Sequence, residues 1–328
     1  MGEPARSFEK FNYTLRPSKQ VERKLFIEAL HYLGHHAGFP IKEYTYLGMG
    51  SVYYADFILF HKYLYIDKMI CIEGAHIEKR MKFNKPYKFI DLRMGKIAEV
   101  FPSISFRKKK YLAWLDYDYT LDPEVLLDVD SFARKLEPGS ILIVTVDAEP
   151  KLRDDEEFEK LAIAGREKLL YNHYAQCSRG ILSRKVEKGD LARNSLPELV
   201  AMLLRSRIEK SILYRSEPLE FFQLFNYVYA DGAQMVTIGG IIDAPGNGQN
   251  LIKSGIFKKG FAEVGTKPKR LTVPPLTNRE KTSIDKLIKC GVTEQQVKKK
   301  LPFELDDYLI ENYVAYYRHY PMYYEAVL

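Results

Sequence analysis

Short apolar, β-branched or aromatic runs alternate with stretches in which apolar residues recur every three to four positions. Residues 44–47 (YTYL) predict a first strand that enters Gly48-Met49-Gly50-Ser51, and 52–64 follow with helical spacing. Residues 68–73 (KMICIE) predict a buried strand ending on an acid, then a helix over 75–83. Strands over 87–92 (YKFIDL) and 111–116 (YLAWLD) repeat the design, and 123–136 predict a helix stopped by Pro138-Gly139. The run 140–146 (SILIVTV) is the most β-prone of the chain and leads to Asp147. Strands alternating with helices at this spacing predict a mainly parallel sheet covered on both faces.

The rhythm then changes. A long helix is predicted over 155–174. The runs 220–230 and 233–243 flank Asp231-Gly232, the strongest short hairpin signal in a sequence. The predicted fold is therefore α/β, a mostly parallel sheet that closes with an antiparallel hairpin. Ahead of it, Ser18 is placed to cap a helix through 33 whose Val21, Leu25, Ala29 and Leu33 share one face. Residues 244–275 read as loop, and 278–328 as helical with Asn278 or Thr282 as caps. This divides the chain into an N-terminal helical element (1–40), the sheet domain (41–245) and a basic loop with a helical appendage (246–328).

Composition narrows the class. Of 328 residues, 46% are hydrophobic and 28% charged, which excludes a disordered or fibrous chain. No run reaches the ~18 apolar residues that span a bilayer, and residues 1–10 lack the apolar centre of a signal peptide. Cys71, Cys177 and Cys290 lie too far apart for a metal knuckle or a disulfide framework, so a reducing cytoplasm is expected. The net charge of +7 is uneven. Residues 266–300 carry ten Lys/Arg against three acids, and 301–328 carry one against five. Two readings stand: pairing within the chain, or an anionic partner such as nucleic acid bound through 266–300. Tyr308, Tyr313, Tyr316, Tyr317 and Tyr320 fall on one broad helical face, suited to packing on the sheet domain or on a second copy in a homo-oligomer. His35, His36 and His76 have no partners at metal spacing.

In an open α/β sheet, ligands bind beyond the carboxyl ends of the strands. Glycines at Gly48 and Gly50 let a ligand approach the first turn. Glu73, 23 residues beyond Gly50, stands where a carboxylate accepts from both hydroxyls of a ribose. Asp91 and Asp116 close the next two predicted strands. Successive strand ends bearing glycine or acid point to a nucleoside-containing ligand.

Gly48-x-Gly50, Glu73, Asp91, Asp116 and the Asp231-Gly232 hairpin together resemble the class I S-adenosylmethionine-dependent methyltransferases, whose fold is Rossmann-like. More narrowly, Leu15-Arg16-Pro17-Ser18-Lys19-Gln20-Val21-Glu22-Arg23 and Leu115-Asp116-Tyr117-Asp118 are similar to a bacterial O-methyltransferase family. The resemblance implies S-adenosylmethionine as cofactor and an oxygen acceptor of unknown identity. Gly48 and Gly50, with Tyr46, Met49 and Ser51 beside them, are then expected along its methionine and ribose. Glu73 and Gly74 are expected at the ribose hydroxyls, Asp91 and Leu92 at the adenine, and Asp116 and Asp118 at the transferring methyl as base or orienting groups. Asp147 and Glu149 follow the next strand and could converge with that pair, and an Mg²⁺ held by Asp116, Asp147 and water is conceivable, though solvated acids are the simpler expectation. The Arg16/Lys19/Arg23 cluster suits either an anionic acceptor or a solvated helix face.

Two positions depart from the pattern: Tyr46 replaces an acid two residues before the first glycine, and Val52 replaces a third glycine. They keep a rival in play, a catalytically inactive nucleoside-binding regulatory or interaction protein. The prolines of the amino-methylating DNA enzymes are absent around Asp116. Two geometries would count against a cofactor here: Glu73 turned from any cleft, or a side chain filling the space above Gly48.

Overall fold

The computed structural model describes residues 16–152, 158, 160–288 and 294–321. Eight strands form one sheet: β1 (Thr45–Met49), β2 (Lys68–Glu73), β3 (Ile90–Met94), β4 (Tyr111–Thr120), β5 (Ser140–Asp147), β6 (Glu220–Asp231), β7 (Ala233–Asp243) and β8 (Lys269–Leu271). Their order is β3-β2-β1-β4-β5-β7-β6-β8, with β7 antiparallel to both neighbours and every other pairing parallel. The expected mostly parallel sheet with a closing hairpin is present. All eight residues of β5 are buried, as its unbroken apolar run requires of a central strand. Gly232 makes the hairpin turn at φ +112, where a side chain is disfavoured.

One face of the sheet is covered by α1 (Pro17–His36) and α2 (Ala55–Leu64); Leu25, Phe26, Phe57 and Phe60 meet Leu112 and Trp114 there. The other face carries α5 (Pro123–Lys135), α6 (Ile163–Ser178) and α7 (Leu196–Ile212), which bury Val125, Phe132, Leu170 and Leu203 against Ala113, Leu115 and Val144. Short helices α3 (Glu78–Asn84) and α4 (Ile97–Val100) follow β2 and β3. Asp122 caps α5, its carboxylate accepting from the Val125 amide at 2.8 Å, with Pro123 in the first helical position. Val21, Leu25, Ala29 and Leu33 are buried together along α1 as their spacing predicts.

Several boundaries differ from the sequence reading, each for a local reason. Ser18 does not cap α1; the helix starts one residue earlier. The Ser18 and Lys19 amides donate to the Asp231 carboxylate at 3.0 and 2.9 Å, so the hairpin tip caps a helix 212 residues away. A carboxylate at the positive end of a helix serves as well as a local cap. The helix expected over 52–64 begins at Ala55 because Tyr54 sits at φ +47. The strand expected over 87–92 lies at Ile90–Met94: Tyr87 and Phe89 stack on each other and on His61 (ring centroids 4.5–5.1 Å) and stay out of the ladder. Residues 153–157 and 159, the acidic start of the helix expected over 155–174, lie outside the described residues; its continuation is α6.

The 244–275 segment holds α8 (Pro245–Ser254) and the edge strand β8 rather than loop alone. Beyond it come α9 (Asn278–Leu287), α10 (Glu294–Lys300) and α11 (Asp307–Tyr316). Thr277 is the cap of α9, in a reciprocal box with Glu280, in place of Asn278 or Thr282. Ile284, Val297, Ile310 and Tyr313 form a small core of their own, and Tyr316 joins the core on the α1 face. Of the tyrosine stripe, Tyr313, Tyr316, Tyr317 and Tyr320 pack within the chain and Tyr308 stays exposed. No described helix is long and apolar enough to cross a membrane.

Candidate functional site

The strand order reverses between β2 and β4, where β1 lies between them, and the chain leaves the carboxyl ends of β1 and β4 toward opposite faces of the sheet. A cleft of about 510 Å³ opens there. Met49, Gly50, Ser51 and Asp56 line it after β1, and Ile72, Glu73, Gly74 and Ala75 where β2 ends. Gly95, Lys96, Ile97 and Ala98 follow β3; Asp116, Tyr117, Asp118 and Tyr119 come from β4; Glu124, Leu127 and Asp128 from α5; Arg16 and Arg23 from α1; Met235 from β7.

The β4 contribution depends on a bulge. Asp116 pairs with Thr145, but the next pair is Thr120 with Asp147, so residues 117–119 stand opposite Val146 alone. Extra residues in one strand bend it and disturb its pairing. Up to the bulge the ordinary alternation holds: Asp116 faces α1, whereas Tyr117, on the face of Leu115, meets α5 and donates its hydroxyl to Asp128 Oδ2 at 2.9 Å.

Beneath the cleft lies a buried charge network. The Lys19 ammonium, fully enclosed, contacts Asp116 Oδ1 at 2.8 Å and Glu22 Oε2 at 3.1 Å, and lies 4.3 Å from the centre of the Trp114 ring. Glu22 Oε1 accepts from Thr237, whose hydroxyl is 2.8 Å from that of Thr145; Thr145 in turn accepts from the Trp114 indole at 3.0 Å. Burial pushes the Glu22 carboxyl above its ordinary range, although Lys19 and Thr237 pull it down. Arg23 pairs with Asp56. Lys19 and Arg23 are thus not a solvated face: both are buried and paired with carboxylates, while Arg23 and Arg16 also line the cleft.

The expected cofactor residues divide into two sets. Met49, Gly50, Ser51, Glu73 and Gly74 line the cleft together with Asp116 and Asp118. Tyr46, Gly48, Asp91 and Leu92 do not. Residues two apart on a strand share a face, and a Cβ on Gly48 would overlap the Tyr46 hydroxyl, which is buried among Phe57 and Phe60. The space beside Gly48 is therefore filled, and its lack of a side chain serves packing. Glu73, in contrast, faces the cleft, its Oε1 accepting from the Ala75 amide at 2.8 Å. Asp91 is the second residue of β3, paired with Ile70 and far from the carboxyl end, and is held outside by Arg93 at 2.8 Å. The strand end where an acid was expected carries Gly95 and Lys96 instead.

Asp147 and Glu149 do not converge with Asp116 and Asp118. Asp147 pairs with Lys151 at 2.6 Å, and Glu149 takes a two-pronged bond from Arg193 (2.9 and 2.8 Å) that holds its carboxyl low. Among the described residues no three His, Cys, Asp or Glu side chains gather at metal-binding distances. Cys71 and Cys177 are buried, and Cys290 lies outside the described residues. Within the basic segment Lys298 pairs with Asp307, and Lys269 and Lys281 lie over the rings of Tyr316 and Tyr320.

Sequence reasoning missed Asp56, residues 95–98, Glu124, Asp128 and Met235. For the α5 acids a signal was present: Glu124 and Asp128 are four apart just after the Asp122-Pro123 helix start, hence on one face. Asp128 is half-buried, and its carboxyl is pushed up to about 6 by burial and by the charges of Glu124 and Asp122, against the Tyr117 hydrogen bond.

A sheet in this order, closed by an antiparallel hairpin and cleft at its carboxyl ends, is a Rossmann-like class I methyltransferase fold. Within that class, the chain belongs to the family described as "Putative O-methyltransferase", matched over residues 11–328. No curated protein matches it. Among solved structures it is similar to Trm1 from Pyrococcus horikoshii with S-adenosyl-L-methionine (11% identity, TM-score 0.42, 76% of this chain and 61% of that one). It is also similar to the N-methyltransferase NodS from Bradyrhizobium japonicum WM9 (11% identity, TM-score 0.34, 68% of this chain and 97% of that one). The chain thus spans less than two thirds of the length of Trm1.

Proposed function

We propose that this protein uses S-adenosylmethionine to methylate an oxygen acceptor, the oxygen resting on the description of its family. One observation carries the reading: Glu73 at the end of β2 and the Asp116–Asp118 bulge of β4 open into the same cleft. A cleft of about 510 Å³ falls within the ~300–1,000 Å³ of small-molecule sites. Its donor set fits a nucleoside with an amino-acid arm. Glu73 offers carboxylate oxygens to ribose hydroxyls, Ile97 and Ala98 offer an apolar wall to a base, and Gly50 exposes backbone.

When bound, the cofactor supplies a methyl already activated on sulfur, so the protein's task is alignment and removal of one proton. Asp116, fixed by Lys19, orients the acceptor from one side of the bulge, and Asp118 does so from the rim. Tyr119 and Leu127 border the acceptor side and limit water.

Isothermal titration tests the reading. S-adenosylmethionine and S-adenosylhomocysteine bind the wild type, and Glu73→Ala weakens both by roughly 10- to 100-fold, the loss of a charge-assisted pair of hydrogen bonds. Failure of both to bind the wild type refutes it. The packing of Tyr46 over Gly48 favours a second reading, an inactive nucleoside-binding protein. Tight binding without transfer of tritiated methyl to any acceptor pool selects that one.

A further inference from the structure

The cleft holds more carboxylates than alignment needs, and they are not equivalent. Asp116 is committed: its Oδ1 lies 2.8 Å from the Lys19 ammonium, and protonating it would leave that buried cation with Glu22 alone. Asp56 is spent on Arg23. Asp118 and Glu124 stand exposed at the rim. Asp128 differs from all four. It is half-buried, lines the cleft and takes its Oδ2 hydrogen bond from the neutral hydroxyl of Tyr117, and among the described residues no cation pairs with it. Arg207 and Ser211 of α7 engage Asp130 instead, two residues on and about 200° around α5. The charged groups that bear on Asp128 are Glu124 on its own helix and Asp122 at the cap, both anionic. Tyr117 reaches it because it follows Ala113 and Leu115 on the face of β4 that packs against α5.

We propose that Asp128 is the general base, receiving on Oδ1 the proton that the acceptor loses. The inference rests on the methyltransferase reading above. In the step, the acceptor oxygen forms the bond to the methyl carbon and the S–CH₃ bond breaks, its electron pair remaining on sulfur as a thioether. The O–H proton passes to Asp128 and from there to water. Tyr117 holds the carboxylate in place through Oδ2 and leaves the other oxygen for the acceptor. A carboxyl with its midpoint near 6 suits this task, since it is ionised at neutral pH yet basic enough to share a proton.

The test follows Asp128 itself. In protein labelled with ¹³C at aspartate carboxyls, its signal is assigned by its loss in Asp128→Asn, and its titration is measured with S-adenosylhomocysteine and with S-adenosylmethionine. The two ligands differ by one positive charge at the reacting sulfur. A base that faces this centre titrates near 6 with the neutral thioether, and about one pH unit lower with the sulfonium. Tyr117→Phe raises the midpoint, because a bond to the ionised form is lost. In transfer of tritiated methyl to pooled phenols and alcohols, Asp128→Asn falls by roughly 100-fold or more while its affinity for S-adenosylhomocysteine is unchanged. Two bound ligands with an Asp128 midpoint that differs by less than ~0.2 pH unit overturn the proposal and leave the methyltransferase reading standing. An Asp128→Asn protein that transfers methyl at the wild-type rate does the same. Failure of the wild type to bind either ligand removes the underlying reading instead. The titration decides whether or not the pool holds an acceptor.

Discussion

Replacing Lys19 by Met isolates the charge network under the cleft. The substitution keeps an unbranched chain of similar length against Trp114 and removes only the ammonium. Two carboxylates then lose their counter-charge, Glu22 fully enclosed and Asp116 with 19% of its side chain exposed. At 2.8 and 3.1 Å, an effective dielectric near 20 gives a gross attraction of roughly 5 kcal/mol for each pair, most of it offset by desolvation. Removing one partner of such a buried pair costs about 3–5 kcal/mol, since the other is left charged and unsolvated. The loss depends on pH with a definite sign. Burial already raises the Glu22 carboxyl, and Lys19 is among the groups that lower it, so the variant's folded value rises further. A group raised on folding gives stability that is complete below its unfolded pKa and is lost as pH rises through the folded one. The variant goes on losing stability after the wild type has stopped, by up to about 1.4 kcal/mol per pH unit. Urea unfolding at pH ~5 and ~7.5 reads this as a deficit that widens with pH. Glu22→Gln in the same background removes one of the stranded charges and restores at least ~1 kcal/mol, a coupling that a double-mutant cycle measures. A deficit below ~1 kcal/mol at the higher pH, or one of equal size at both, refutes the account.

Gly48→Ala places a methyl against the Tyr46 hydroxyl and lowers stability by about 1–3 kcal/mol, with affinity for S-adenosylhomocysteine unchanged; a weakened Kd at unchanged Tm would return Gly48 to the cofactor. Asp231→Ala removes the carboxylate that accepts from the Ser18 and Lys19 amides and costs about 0.5–2 kcal/mol in thermal unfolding. Hydrogen exchange then speeds at those two amides, while the β6–β7 ladder stays protected.

The fold was legible because its signals are local and strong. β5 is an unbroken apolar run, Asp231-Gly232 marks one hairpin, and Val21, Leu25, Ala29 and Leu33 repeat along one helix face. The errors arose where a distant group overrides a local one. Ser18 looked like a cap, but Asp231 supplies that function from the far end of the chain. Tyr87 and Phe89 have strand propensity, yet their rings find His61 and leave the ladder, which moves the strand's start three residues along and takes Asp91 from near its carboxyl end to its second position. α7 had a start signal, Ser195 with Glu198 three residues on and Pro197 between them, but its apolar residues are spread around the helix and show no single-face period.

The site shows the same division between residue type and placement. Glycine and acid at successive strand ends located the cleft, because the topology of a parallel sheet puts every strand end on one rim. The face toward which each side chain turns depends on register: along β4, Trp114 and Asp116 turn toward α1, and Leu115 and Tyr117 toward α5. Lys19 and Arg23 read as surface charge since lysine and arginine are seldom enclosed unless paired. Their partners, Asp116 and Asp56, lie 97 and 33 residues away and could be matched to them only in three dimensions. Asp128 was overlooked for the converse reason. Its sequence neighbours mark it as one acid on a helix rich in them, and it is the Tyr117 hydroxyl, presented by the α5 face of β4, that sets it apart from Glu124 and Asp130.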